Sequence, residues 1–205
     1  MDKTDGRVIR TKQMLYEAFL NLIEAKGFDA ITVRDLTTRA GLNRGTFYLH
    51  YEDKYDLLQK WKKEMLNGFE AQLSNFDLRV LLNHPTLEEP PQMILEIIQY
   101  FYEHARFFRI MLGSKGDPSY LNELKALMRK HMFNKMSSVQ PNEELMMLPR
   151  EFLIAYLISA NLGMIQHWLE SGLKYSPYHM ALLLTRVSKL GPLNSVAAGI
   201  AAEQP

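Results

Sequence analysis

Residues 32–51 read Thr-Val-Arg-Asp-Leu-Thr-Thr-Arg-Ala-Gly-Leu-Asn-Arg-Gly-Thr-Phe-Tyr-Leu-His-Tyr. This stretch carries the start and stop signals of two short helices around one tight turn. Thr32 with Asp35 three residues on is a capping-box pattern, so a helix is predicted to begin at Val33. Val33, Leu36 and Ala40 fall on one helical face, and Arg34, Asp35, Thr38 and Arg39 fall elsewhere. Gly41 permits a left-handed turn, Leu42 can plug the corner, and Asn43 is a good N-cap for a second helix over 44–51.

On the second helix Phe47 and Tyr51 are four apart and can pack inward, which leaves Arg44, Gly45, Thr46, Tyr48 and His50 outward. A helix that enters the major groove needs this mixture. A small residue allows close approach, Arg pairs with guanine edges or phosphate, Thr meets a thymine methyl or phosphate, and Tyr reaches both. An ordinary helical hairpin with a solvated polar face is the alternative. The caps, the glycine and the outward Arg-Gly-Thr occurring together argue against it.

Residues 32–51, with Glu-Asp-Lys54-Tyr-Asp-Leu-Leu58 after them, resemble the N-terminal domain of the TetR/AcrR transcriptional regulators. The resemblance spans about residues 8–60. It includes a preceding amphipathic helix with Leu15, Ala18, Phe19, Leu22 and Ile23, then Gly27-Phe28. It implies DNA-contact roles for Arg34, Asn43, Arg44, Gly45, Thr46, Tyr48 and His50, with Lys54 at a phosphate and Phe47 and Tyr51 as supports. Family members vary at the positions of Asn43 and Arg44, so base identity does not carry over. Lys54 also has a physical argument of its own. Asp53 and Asp56 mark a helix start there, where backbone donors and a cation would converge on a phosphate; a merely solvated Lys54 is the alternative.

The rest of the 205-residue chain reads as helix. One long helix is predicted over 53–82, with Leu57, Leu58, Trp61, Met65, Leu66 and Phe69 on its apolar side. Pro85 and Pro90-Pro91 break the pattern. Residues 93–112 follow as an apolar helix bent near His104-Ala105, then helices over 120–137, 150–171 and 177–190. The predicted fold class is all-α: an N-terminal three-helix helix-turn-helix head joined by a long helix to a helical ligand-binding and dimerisation body. The expected domains are 1–52 for DNA binding, 53–191 for effector binding and dimerisation, and 192–205 as a flexible tail.

Composition limits the function classes. Apolar residues make up 47% of the chain, enough for a core, and formal net charge is +1. Residues 1–63 hold 12 Lys/Arg against 9 Asp/Glu, a local +3, and the remainder is −2. The excess sits with the motif but is modest, so sequence-dependent contacts and dimer geometry must supply much of the affinity. With no cysteine, disulfides, thiolate chemistry and a zinc-finger route are excluded. The six histidines form no metal-ligand spacing and no nucleophile-elbow pattern occurs, so no enzyme, cofactor or metal is expected. The first seven residues lack an apolar signal core, which points to the cytoplasm. Residues 152–169 carry no Lys, Arg, Asp or Glu, long enough to raise a membrane span. Ser159, Asn161, Gln166 and His167 within the run favour a buried helix, and no membrane partner is expected.

Ala155, Ser159 and Gly163 repeat at four-residue spacing, a strip of small residues that lets helices approach closely. In the resembled family the two C-terminal helices pair between subunits, which implies a homodimer with this strip at its interface; a strip that faces a helix of the same subunit is the alternative. Two twofold-related recognition helices would read a pseudo-palindromic operator in double-stranded DNA. Aromatics, methionines and a few polar groups mix in 100–111 and 166–170. Phe101, Phe108, Met111, Met164, His167 and Trp168 are therefore candidate pocket residues for an unknown small-molecule effector, though plain core has the same composition. The C-terminal half is also faintly similar to the branch containing regulators of dihydroxyacetone kinase genes. The resemblance implies a repressor, since promoter blocking is the family's common mode. An adaptor that keeps the scaffold and acts through protein partners is the competing reading.

Overall fold

A computed structural model of the chain describes residues 3–113 and 116–197. Those residues are helical without any strand, in the order α1 (Lys3–Lys26), α2 (Val33–Ala40), α3 (Arg44–Tyr48), α4 (Lys54–Asn75), α5 (Leu78–Leu82), α6 (Gln92–Glu103), α7 (Ala105–Met111), α8 (Pro118–Val139), α9 (Arg150–Glu170) and α10 (Pro177–Ala197). Two compact units result. One holds the residues up to Leu66 together with Arg106–Leu121, and the other holds Asn67–Ala105 together with the residues from Asn122 on.

In the first unit, Leu15, Phe19 and Ile23 of α1 are fully buried with Ile31, Leu36, Phe47, Leu57 and Trp61. The Tyr16 ring lies flat on Trp61, with centroids 4.1 Å apart. α7 joins the same core through Phe107, whose ring centroid is 4.9 Å from Trp61, and through Phe108, which packs on Tyr120. Arg106 fixes α7 to α1. Its guanidinium donates to Glu17 at 2.9 Å, Asn21 at 2.6 Å and Glu24 at 2.6 Å. The bond from Arg106 holds the Glu24 carboxyl below its usual range, against a smaller opposing effect of burial.

In the second unit α6, α9 and α10 surround a core that includes Ile98, Phe101, Ile154, Leu162, Trp168 and Ala181. By length and composition alone α9 could cross a membrane. One face of it, through Ile154, Ile158, Leu162 and Ile165, is buried, and Phe152 and Tyr156 are exposed. The expected buried helix is therefore half-buried.

Three expected boundaries move. The long helix predicted over 53–82 ends at Asn75, and α5 restarts it. Phe76 turns inward, and the Asp77 carboxylate accepts from Arg79 N at 2.8 Å as a new N-cap. The second helix of the motif, predicted over 44–51, is regular only over Arg44–Tyr48. Tyr51 N still reaches Phe47 O at 3.0 Å, so its last turn continues without being regular. The tail expected from 192 does not begin there. Gly191, at φ 74° and ψ 163°, kinks α10 in a conformation closed to other residues, and Pro192 starts a further helical stretch to Ala197. The rest of the expected tail, 198–205, lies outside the described residues.

Candidate nucleic-acid interface

The motif's local geometry follows from its caps. Thr32 Oγ1 accepts from Asp35 N at 3.2 Å, and Asp35 Oδ2 accepts from Thr32 N at 2.9 Å. Lys26 donates to the same carboxylate at 2.8 Å. The Lys26 bond, with those from Thr32, holds the Asp35 carboxyl far below its ordinary value. α2 stops at Gly41, whose φ of 66° is the left-handed region, and Leu42 N bonds back to Thr37 O at 2.9 Å. Asn43 Oδ1 accepts from Gly45 N at 2.9 Å and starts α3.

These bonds fix what α3 shows to solvent. Phe47 is fully buried and Tyr51 nearly so, with ring centroids 5.6 Å apart. Opposite them Arg44, Gly45 and Tyr48 are exposed, and Thr46 and His50 are half-exposed. Arg34 of α2 is also exposed. The residues that the sequence assigned to DNA are therefore all exposed or half-exposed, with two qualifications. Asn43 commits its carbonyl oxygen to the cap. Lys54 donates to Phe28 O at 3.2 Å and Asp29 O at 2.8 Å, with its ammonium 4.8 Å above the Phe28 ring. The α4 donors at Tyr55 N and Asp56 N are taken by Asp53 Oδ1 at 2.8 Å each. The expected convergence of open donors and cation at the start of α4 is therefore mostly closed by the protein itself, and Lys54 ties α4 to the loop after α1.

Sequence reasoning passed over Leu49. Its side chain is 80% exposed beside Tyr48, an aliphatic group turned to solvent on the motif's second helix. The helical period already carried the signal, since 49 lies between the buried positions 47 and 51 and so points away from both.

The candidate pocket residues are not brought together. Phe108 and Met111 are buried in the first unit. In the second unit His167 is exposed and Met164 half-exposed, and the buried Trp168 donates Nε1 to Tyr175 O at 2.9 Å. Phe101 alone of the six lines the cavity of about 530 Å³ in this unit, beside Phe69, Phe76, Ile98, Met136 and Leu157. That volume is ordinary for a small-molecule site. In the strip on α9, Ser159 and Gly163 are exposed and Ala155 is half-exposed, and a Cβ added to Gly163 would meet nothing within 4 Å. Among the described residues no cluster of three or more His, Asp or Glu is placed to hold a metal ion.

Residues 15–60 match "Bacterial regulatory proteins, tetR family", and residues 88–190 match "Transcriptional regulator C-terminal region" of the same family. The HTH-type transcriptional regulator YxbF of Bacillus subtilis is 28% identical over 97 residues, 47% of this chain and 25% of its own length. The chain spans about a quarter to about half the length of the curated relatives it matches. A TetR transcriptional regulator from Streptococcus agalactiae shares the fold at 22% identity and a TM-score of 0.57, covering 90% of this chain and 96% of its own. The dihydroxyacetone kinase operon activator DhaS shares it at 16% identity and a TM-score of 0.53, over 93% and 97%. The chain belongs to the TetR family of bacterial DNA-binding transcriptional regulators.

Proposed function

We propose that this protein is a homodimeric repressor that reads a pseudo-palindromic operator with α3 and changes its operator affinity when a small molecule enters the second unit. The observation that carries the reading is the division of α3. Phe47 and Tyr51 are sunk in the core, and Arg44, Gly45, Tyr48 and Leu49 are left outward on a helix too short and too firmly capped to adjust. Arg44 suits a guanine edge, Tyr48 a phosphate or base, and Leu49 a thymine methyl. Arg34, Thr46 and His50 flank them, and Asn43 keeps its amide N–H groups for a contact. The open strip Ala155, Ser159 and Gly163 on α9 supports pairing with a second copy, which sets two α3 helices on one duplex.

Selection from a random duplex library tests the reading. The expected product is an inverted repeat bound by two chains, as measured by light scattering of the complex. A selected site without twofold symmetry, bound by one chain, contradicts it. The sign of regulation is read by placing that repeat across a reporter promoter, where expression should fall.

A further inference from the structure

We infer that the molecule held in the second unit is an elongated apolar monoanion, a chain ending in one carboxylate. This deepens the effector reading above and rests on it. The cavity of about 530 Å³ is walled mostly by aliphatic, aromatic and methionine side chains, and Phe69, Ile98 and Phe101 are fully buried in its wall. Such a wall holds hydrocarbon and penalises any polar group left without a partner. Its titratable groups are one-sided. His131, Lys135 and Lys189 line it, and no Asp or Glu does.

The three bases differ in what they can offer. His131 faces Glu70 at 3.2 Å, and that carboxylate also meets Lys130 at 3.4 Å, so the charge near His131 is already matched. Lys135 donates to the carbonyls of Ser74 and Phe76 at the end of α4, which uses two of its three N–H donors. Lys189 donates to His84 O, keeps two donors, and is solvent-exposed next to the exposed Ser188. Both line the cavity, so they form part of its rim.

A carboxylate at Lys189 and Ser188 stays partly hydrated and gains a charge-assisted bond, which an anion sunk among Phe69 and Phe101 would lack. The hydrocarbon then runs inward. A cationic amphiphile would set its charge against Lys189, and a neutral one would forgo the charge-assisted bond.

Calorimetric titration of the full chain with dodecanoate, 1-dodecanol and dodecyltrimethylammonium, all below micellar concentration, tests this. Dodecanoate is expected to bind at least about tenfold more tightly than dodecanol, with affinity rising up to about fourfold per methylene along the shorter carboxylates. Lys189→Met should bring dodecanoate within about twofold of dodecanol and leave dodecanol unchanged. Leu157→Trp, which fills the cavity, should weaken both, and an unchanged melting temperature shows that it folds. Equal affinities in the parent, no binding of either compound, or a preference that survives Lys189→Met overturns the inference. Binding of the library-selected duplex without ligand is measured alongside. If that persists while dodecanoate fails to bind, the ligand class alone is wrong. If no duplex is selected, the regulator reading fails independently.

Discussion

Lys62 Nζ lies 2.6 Å from Asp117 Oδ2 within the first unit, with the lysine side chain 1% exposed and the aspartate 22%. Ser119 Oγ accepts a second bond from the same ammonium at 3.1 Å. A cation this deep is tolerated only because its charge and donors are answered. Lys62→Met leaves Asp117 without this countercharge, and Asp117→Asn takes the Asp117 charge away from a buried ammonium. We expect each to destabilise the unit by about 3 kcal/mol, and the pair of changes together to be milder than their sum. Chemical denaturation of the single and double variants measures this.

The same pair makes a pH prediction. Burial pushes the Asp117 carboxyl up, but the bonds from Lys62 and Ser119 outweigh it and hold the group below its ordinary 3.8. A depressed carboxylate contributes stability that is complete above the unfolded value and is lost as pH falls through the lower folded value. Asp117's share should therefore be constant above about pH 5 and disappear on acidification below about pH 4. In Asp117→Asn the acid limb of stability against pH should be shallower than in the parent. Parallel limbs would contradict the assignment.

Thr32→Ala removes one half of the capping box and leaves Asp35 with Lys26. The expected cost is about 1 kcal/mol of stability, with weaker operator binding because α2 sets the approach of α3. Phe47→Ala should cost about 3–5 kcal/mol, as for a large side chain removed from a filled core. Normal melting in that variant would mean that α3 is turned the other way.

Gly163→Leu separates the two environments open to α9. Space around Gly163 is empty, and leucine is about 1 kcal/mol better than glycine inside a helix. A face that stays in solvent predicts a protein as stable as the parent or more so, at unchanged mass. A face that pairs with a second copy predicts a shift toward monomer and weakened operator binding, and we expect the latter by light scattering.

How much of this was legible in the sequence depends on how local the deciding chemistry is. Thr32, Gly41 and Asn43 act within three or four residues, so the bounds of α2 and the start of α3 could be read directly. The bend at His104 was legible as well. Its consequence was not, because Phe101 and Phe108 are both fully buried seven residues apart, yet one lines the cavity and the other packs in the first unit. That sorting rests on bonds such as Arg106 to Glu24, 82 residues away. The break before α5 was not legible, because Asp77, which caps α5, lies in a stretch whose apolar residues continue at helical spacing. Lys54 was correctly placed at a helix start, and its partners, the carbonyls of Phe28 and Asp29, belong to a loop whose path the sequence does not state.

The proposed function places operator reading in α3 itself. Titration of the selected duplex and a scrambled duplex with the parent and with Arg44→Ala/Tyr48→Ala, at two salt concentrations, tests it most directly. For the double variant, still folded and with parental mass, we expect operator binding weaker by roughly 1–3 kcal/mol for each side chain that meets a base, discrimination between the two duplexes largely gone, and a shallower salt dependence. Unchanged affinity and discrimination in that variant would contradict the account and leave a partner protein as the source of specificity.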